Sequence, residues 1–394
     1  MMIPEHIEKI IERLEGAGHE AYIVGGSLRD MILGREPSDF DVTTSALPEE
    51  TLALFSDMKT IPTGLHHGTV TVLSSGEPIE ITTFRTDGEY LDSRHPESVS
   101  FTRNIVEDLA RRDFTVNAIA YNKKRGFVDP FDGSEDIKKG VLRAVGDAEK
   151  RFSEDALRIM RALRFSAQLG FSIEENTKKA LVTKSDGLLN ISRERIGVEM
   201  AKLVVSKNAR EALSFMLESG ISKHVFGDYI PSKEILSTVE SLDADAVTRF
   251  SCILWDCETE TARKILNGLR YSNALCSAVI SVLNSRAVEV PRSDTELRRF
   301  IIKFGNESET AADVREAISG SSSLSRQAIK KMRETGFCTK ISDLAIGGND
   351  LISMGICGKD IGSTLSALFE SVTQDPSKNN KEYLINHARM LNNK

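Results

Sequence analysis

Apolar residues recur at Ile3, Ile7, Ile10, Ile11 and Leu14, the spacing of a helix with one buried face. The next run, AYIVGG, is short, β-rich and closed by two glycines, so it predicts a strand and its turn. SLRDMILG predicts a helix and DFDVTT a strand, while TVTVL, GEP and IEITTF predict a hairpin turning at GEP. Residues 104–122 fit a helix running into a strand, and FVDPFDG closes the segment. This mixture predicts an α+β domain built on one antiparallel or mixed sheet. Beyond Asp147 strand signals almost vanish. Helix-spaced segments follow one another from 153–169, 174–184, 192–205 and 208–218 through to 361–373, punctuated by Gly, Asn and Ser. No repeat of fixed period links them.

The strongest chemical signal is Gly25-Gly26-Ser27-Leu28-Arg29-Asp30, followed nine residues after Asp30 by Asp39-Phe40-Asp41. On a strand, carboxylates at i and i+2 project from one face. Hard divalent cations such as Mg2+ take such oxygens and share them with substrate phosphates. Two metals there could activate an attacking 3′ oxygen and stabilise a leaving pyrophosphate. Gly25 and Gly26 would let backbone N–H groups approach a triphosphate, and Arg29 adds a fixed positive charge. A DxD pair alone is more often a solvated strand face; GGxxRD with DxD at this spacing is far more restrictive. Glu80, between apolar Ile79 and Ile81 on a later strand, is placed to join the acids, with an edge-strand glutamate as the plain alternative. Asp155, Arg158, Arg161 and Arg164 recur every three residues, which predicts a stripe on one helix, with Leu157, Met160, Leu163 and Phe165 turned to a core. By itself such a stripe is commonly a salt-bridged surface. His66 and His67 are adjacent on a strand-like run, where they would face opposite ways, and read as structural.

The layout GG…DxD…(apolar)-Glu-(apolar) resembles the catalytic pattern of the DNA polymerase beta superfamily of nucleotidyltransferases. Further segments narrow the resemblance to class II tRNA nucleotidyltransferases, the CCA-adding enzymes and their bacterial poly(A) polymerase relatives. They are Arg111-Arg112-Asp113-Phe114-Thr115-Val116-Asn117-Ala118, Asp129-Pro130-Phe131-Asp132-Gly133, Glu154-Asp155-Ala156-Leu157-Arg158 with Arg161 and Arg164, and Ile191-Ser192-Arg193-Glu194-Arg195. The resemblance implies a catalytic sheet domain over 1–147, a helical nucleotide-selecting neck over 148–220 and a helical, tRNA-binding body and tail over 221–394. It implies template-independent addition of C, C and A to tRNA from CTP and ATP. By the same resemblance Asp39 and Asp41 would hold Mg2+ beside Glu80. Gly25, Gly26, Arg29, Arg112, Asp155, Arg158, Arg161 and Arg164 would contact the nucleotide, and Asp113 and Asn117 would address the ribose. Asp155 and Arg158 would pair with the base edge, since a carboxylate and a guanidinium offer acceptors and donors as a base does.

The segment Arg85 to Val99 resembles the family's full-length loop, which favours complete CCA addition. Enzymes adding only A or only CC, and poly(A) polymerases, are the alternatives; the short acidic chain counts against the last. Gly347-Gly348-Asn349-Asp350, Met354-Gly355-Ile356 and Ile361-Gly362 resemble a tail of Gram-positive-type members. Cys357-Gly358-Lys359-Asp360 departs from the family's Pro-Gly-Pro-like stretch there.

Composition tempers this picture. The 394 residues, 40% hydrophobic and 28% charged, fit a folded chain of two to four packed units. The acidic, amphipathic N-terminus and the lack of a long apolar run predict a cytoplasmic protein without membrane spans. A net charge of −7 requires the positive charge for RNA to be gathered locally. Candidates are Arg193, Arg195, Lys202, Lys207 and Arg210; Arg298, Arg299 and Lys303; and Arg326, Lys330, Lys331 and Arg333. One tryptophan and six tyrosines offer no stacking platform, which points to recognition of shape and phosphate. Five scattered cysteines form no CxxC pair and read as buried or free thiols. Two competing classes are a non-catalytic tRNA-binding module, which has no chemical need for the acids, and a small-molecule nucleotidyltransferase of the antibiotic-modifying kind, which has no need for EDxxR or so long a helical body.

Overall fold

The computed structural model describes residues 3–37, 39–88, 99–320 and 324–392, in two compact units, Met1–Ile230 and Pro231–Lys394. The first begins with α1 (Glu5–Gly16), whose Ile7, Ile10, Ile11 and Leu14 are buried as their spacing predicts. Its sheet has seven strands: β1 (Ala21–Val24), β2 (Asp41–Thr44), β3 (Thr60–Gly64), β4 (Thr69–Ser74), β5 (Glu77–Thr83), β8 (Ala120–Asn122) and β9 (Gly126–Val128), in the order β3-β4-β5-β2-β1-β8-β9. All pairs are antiparallel except β2–β5, which is parallel. Between them lie α2 (Gly25–Ile32), α3 (Pro48–Leu54), a ribbon of β6 (Arg85–Asp87) and β7 (Val99–Phe101), and α4 (Ile105–Ala110).

Two local expectations need correcting, and a third lies largely outside the described residues. The hairpin turns at Ser75-Gly76, both at positive φ, and Glu77 already pairs with Ser74. A two-residue turn with two left-handed positions matches the twist of its strands, so Glu77 and Pro78 join β5 instead of the turn. His66 and His67 are exposed in a 3-10 turn, Leu65–His67, not on a strand. Of the Arg85–Val99 loop only the two ends fall on described strands; residues 89–98 lie outside the described residues.

After α5 (Gly133–Lys139) and β10 (Val141–Leu142) the first unit becomes helical. The helices are α6 (Ala148–Glu154), α7 (Leu157–Leu169), α8 (Glu175–Thr183), α9 (Arg193–Val204), α10 (Ala209–Glu218) and α11 (Lys223–Phe226). The expected helix over 153–169 is broken at Asp155-Ala156. Asp155 is extended (φ −138°, ψ 102°), and its carboxylate accepts the Leu157 N–H at 3.0 Å. A short acidic side chain that bonds the backbone two residues on ends one helix and starts the next. Asp155 therefore stands at the mouth of α7, off the stripe that Arg158, Arg161 and Arg164 continue.

The second unit is helical, from Lys233–Thr238 to Lys381–Asn392, with one core cluster around Leu351, Leu368, Val372 and Leu384. Several cations expected to face RNA are used internally. Arg298 is buried and donates to the carbonyls of Thr373 and Gln374; Arg326 pairs with Asp243 and Asp313; Arg333 donates to Gly305 and Ser308. Cys252, Cys257, Cys276 and Cys338 are buried free thiols, and Cys357 is exposed. Among the described residues no helix is long and apolar enough to cross a membrane.

Candidate active site

A cavity of about 590 Å3 opens between the sheet and α7. It is lined by Gly25, Gly26, Arg29, Asp39, Asp41, Arg112, Asp113, Asn117, Asp155, Arg158, Arg161 and Arg164, so twelve of the thirteen residues singled out in the sequence meet there. Arg85, Arg111, Leu157, Phe165 and Arg195 complete the wall. Eight arginines outnumber four aspartates on the lining, in a chain that is acidic overall; Glu154, Glu199 and Asp108 pair with four of those arginines from behind the wall. A larger cavity of about 740 Å3 around Met31, Arg35, Phe40 and Pro78 shares only Asp39 with it and has no such surplus.

The acids sit on one side. Asp41 opens β2 and lies in register with Glu80 across the parallel β2–β5 pair. Asp39 is in a bend before the strand, not on its face as the DxD spacing suggested. Glu80 is exposed and does not line the cavity. Burial, with Asp39 and Glu80 nearby, pushes the Asp41 carboxyl up to about 6, with Arg112 pulling the other way. Like charges around a buried acid disfavour its ionised form, and a cation beside it favours that form. Among the described residues no group of three or more Asp, Glu, His or Cys forms a complete metal shell. Asp39 and Asp41 are the carboxylates on that side of the cavity, and carboxylate oxygens are donors that a hard cation shares with phosphate.

The backbone supplies the next wall. β1 runs straight into α2, and Val24 at the helix start makes no side-chain cap, leaving the first-turn N–H groups of α2 available to an anion. Gly25 has φ +73°, and a Cβ there would lie 3.4 Å from Arg112 Nη1 and 3.5 Å from Asp41 Oδ2. The left-handed backbone favours glycine there, and a side chain would come into contact with both groups.

The opposite wall is a chain of hydrogen bonds. Arg29 Nη1 donates to Asn117 Oδ1 (2.8 Å), and Asn117 Nδ2 donates to Asp113 Oδ1 (3.2 Å). Asp113 Oδ2 accepts Arg161 Nε at 2.8 Å and Nη2 at 2.6 Å. Burial alone would raise the Asp113 carboxyl, but Arg161, Arg158 and Asn117 outweigh it and hold it at about 2. Phe165, buried as expected, is also the platform of this wall: the guanidiniums of Arg164, Arg161 and Arg29 lie 4.1, 5.2 and 5.3 Å from its ring centre. Its edge meets Phe114 at 5.9 Å.

The remaining arginines are anchored. Arg158 Nη1 donates to Glu154 Oε2 (2.9 Å) and the Arg151 carbonyl (3.1 Å), and Nη2 to the Arg111 carbonyl (3.0 Å). Arg164 Nε is 3.1 Å from Glu199 in a buried pair reaching to α9. Arg195, placed by sequence with the RNA-facing cations, instead holds Asp155 at 3.3 Å. Arg112 Nε and Arg195 Nη1 are buried with no hydrogen-bond partner among the described residues. Buried donors left over in an arginine-rich cavity are what an anionic ligand satisfies. Glu199 escaped assignment and Arg195 was assigned elsewhere because their partners, Arg164 and Asp155, lie in other segments; the role of Phe165 under the arginines had no signal beyond the RxLRF run.

The chain is similar to known proteins over most of its length. A poly(A) polymerase head-domain family model matches residues 21–143. A model of the RNA- and SrmB-binding site of polymerase A matches 170–232, and one of tRNA nucleotidyltransferase domain 2 matches 243–388. The CCA-adding enzyme of Leuconostoc mesenteroides is 39% identical over 391 residues, 97% of this chain and 95% of that protein. That of Lactobacillus helveticus is 38% identical over 385 residues, 95% and 94% of the two chains. The solved structure of the Bacillus stearothermophilus CCA-adding enzyme in complex with CTP superposes with a TM-score of 0.83 at 32% identity, covering 100% of this chain and 98% of that one.

Proposed function

The chain belongs to the CCA-adding family of class II tRNA nucleotidyltransferases, and from that premise we propose that it adds C, C and A to tRNA 3′ ends, taking CTP and ATP without a template. The observation that carries this reading is the cavity itself, where arginines outnumber acids on the lining and two aspartates, Asp39 and Asp41, lie among them. A triphosphate with its cation is the kind of ligand such a lining suits.

Nucleotidyltransferases of this family work with a divalent metal, which we assign as Mg2+ held by Asp39 and Asp41. When bound, the metal supplies Lewis-acid stabilisation of charge on the reacting oxygens. Glu80 adds negative potential behind Asp41 from the neighbouring strand. The α2 N-terminus, Arg29 and Arg112 bind the phosphates and take up charge as pyrophosphate leaves. Asp113 and Asn117, tied to Arg29 and Arg161, set the height of the ribose. Asp155 and Arg158 read the base edge at the mouth of α7, with Arg161 and Arg164 carried on Phe165. A wrong base would leave these buried polar groups unpaired, which is a strong source of discrimination.

In this reading residues 1–147 are the catalytic domain, 148–220 the selecting neck and 221–394 the tRNA-binding body and tail. Such an activity fits the cytoplasm, where tRNA and nucleoside triphosphates meet. The test is gel-resolved extension of tRNA ending at the discriminator base, at C and at CC, with Mg2+ and CTP or ATP alone. Two additions from CTP and then one from ATP are expected. Incorporation of only one nucleotide type would move the assignment to an A-adding or CC-adding enzyme, and none at all would leave a binding module.

A further inference from the structure

Asp108 belongs to none of the motifs singled out in the sequence. It is fully buried on α4, three and four residues before Arg111 and Arg112. Its Oδ1 accepts from Arg111 Nε at 3.0 Å and Nη2 at 2.8 Å, and from the Arg85 backbone N–H at 3.3 Å, at the root of β6. Its Oδ2 accepts from Arg112 Nη2 at 3.1 Å and lies 3.5 Å from the hydroxyl of Thr43, two residues along β2 from Asp41; that hydroxyl donates to the Thr82 carbonyl at 3.0 Å. One carboxylate thus holds two guanidiniums of the cavity wall and the root of β6 beside the strand that carries the acids.

Arg112 has a second carboxylate close by. The same point in space, an added Cβ on Gly25, lies 3.4 Å from Arg112 Nη1 and 3.5 Å from Asp41 Oδ2. An arginine closed onto Asp41 would neutralise an acid that a cation needs and withdraw donors from a phosphate. As it stands, Arg112 spends Nη2 on Asp108 and keeps Nε without a partner.

We propose that Asp108 is a positioning residue of nucleotide transfer, which holds Arg112 and Arg111 away from Asp41 and presents them to the triphosphate. This inference rests on the nucleotide-binding reading of the same cavity. Charge-assisted bonds to a fully buried acid are strong enough to set the orientation of a guanidinium.

The test uses the full chain and its variants Asp108→Asn, Arg111→Gln and Asp108→Asn/Arg111→Gln. Two equilibrium measurements are made on each: CTP binding by calorimetry in EDTA, and Mn2+ binding by electron paramagnetic resonance without nucleotide. For Asp108→Asn, CTP binding should weaken about tenfold or more, and Mn2+ binding should weaken alongside it as Arg112 turns to Asp41. A folded Asp108→Asn protein with lowered thermal stability but wild-type CTP and Mn2+ affinities overturns the proposal. Should that variant fail to fold, the double variant removes one surplus cation with the acid. Its affinities should fall below those of Arg111→Gln, and equality between the two also overturns the proposal. A wild-type protein that neither binds CTP nor extends tRNA would sink the functional reading first and this inference with it.

Discussion

Asp41 and Glu80 are register partners across the one parallel pair of the sheet, and burial, with Asp39 and Glu80 nearby, makes the charge of Asp41 harder to keep. The ionised form of Asp41 is disfavoured in the fold, where its pKa is about 6 against 3.8 for the free group. Its contribution to stability is therefore lost as pH rises through that window, and at neutral pH the charge is a cost. Asp41→Asn should remove that cost and raise the stability of the metal-free protein by roughly 1–3 kcal/mol, while cutting nucleotide incorporation by about a hundredfold or more. Denaturant unfolding in EDTA beside a primer-extension assay checks both. An Asn variant that is less stable than wild type at pH 7 would contradict that cost.

The Asp113–Arg161 pair has the opposite sign. Asp113 is held at about 2 in the fold against 3.8 unfolded, so its stabilisation is complete above about pH 4 and disappears as pH falls towards 2. Replacing Asp113 with Asn should cost roughly 2 kcal/mol at pH 7, and the gap from wild type should close in that acid window. Chemical unfolding at pH 7, 4 and 2.5 measures it. A gap that stays constant from pH 7 to 2.5 would assign the pair no role in acid stability.

How much of this was legible depends on how far apart the interacting residues lie in the chain. Local patterns carried α1, because its apolar period is its buried face, and the clustering of Gly25, Arg29 and Asp41, because a strand running into a helix and back keeps them close. Spacing failed at Asp155, whose side chain bonds the backbone and breaks the helix it was counted on, and at Asp39, which lies in a bend short of the strand. Ser75 took a left-handed turn position that the GEP signal had masked. Partners across long separations were invisible. Nothing near Asp108 announces Thr43, 65 residues away, and nothing near Arg164 announces Glu199, 35 residues on. The charge stripe of α7 was ambiguous for the same reason, since its arginines are both salt-bridged and turned to the cavity.

Gly133 gives a prediction of close packing. It starts α5 where Asp129 accepts its N–H at 2.7 Å and that of Ser134 at 2.8 Å. An added Cβ would meet the Thr115 carbonyl oxygen at 2.1 Å, which backbone cannot yield. Thr115 opens the 3-10 turn that carries Asn117. Gly133→Ala should therefore destabilise by about 2 kcal/mol or more and, by shifting Asn117 against Arg29, raise the KM for CTP more than it lowers kcat. Thermal melts and steady-state kinetics separate the two. An unchanged KM in a destabilised protein would confine the effect to packing.

Arg164 and Glu199 form a buried pair, with side chains 9% and 7% exposed, that joins α7 to α9. Burial lowers the Arg164 pKa, with Glu199 opposing it and the nearby Arg161 adding to it. Removing one member of such a pair strands the other charge, so Glu199→Ala should destabilise by about 3–5 kcal/mol. Removing both in favour of apolar side chains, as in Arg164→Met/Glu199→Leu, should restore most of that stability. The double variant would nevertheless lose the guanidinium that lies on Phe165 beside Arg161. If this pair serves only to hold the helices together, the restored protein should select CTP over UTP as wild type does. If Arg164 also shapes the base pocket, as the cavity wall implies, the restored protein should be stable and should discriminate about tenfold less. Competition between CTP and UTP in single-nucleotide extension, run on variants matched for folding, decides between the two.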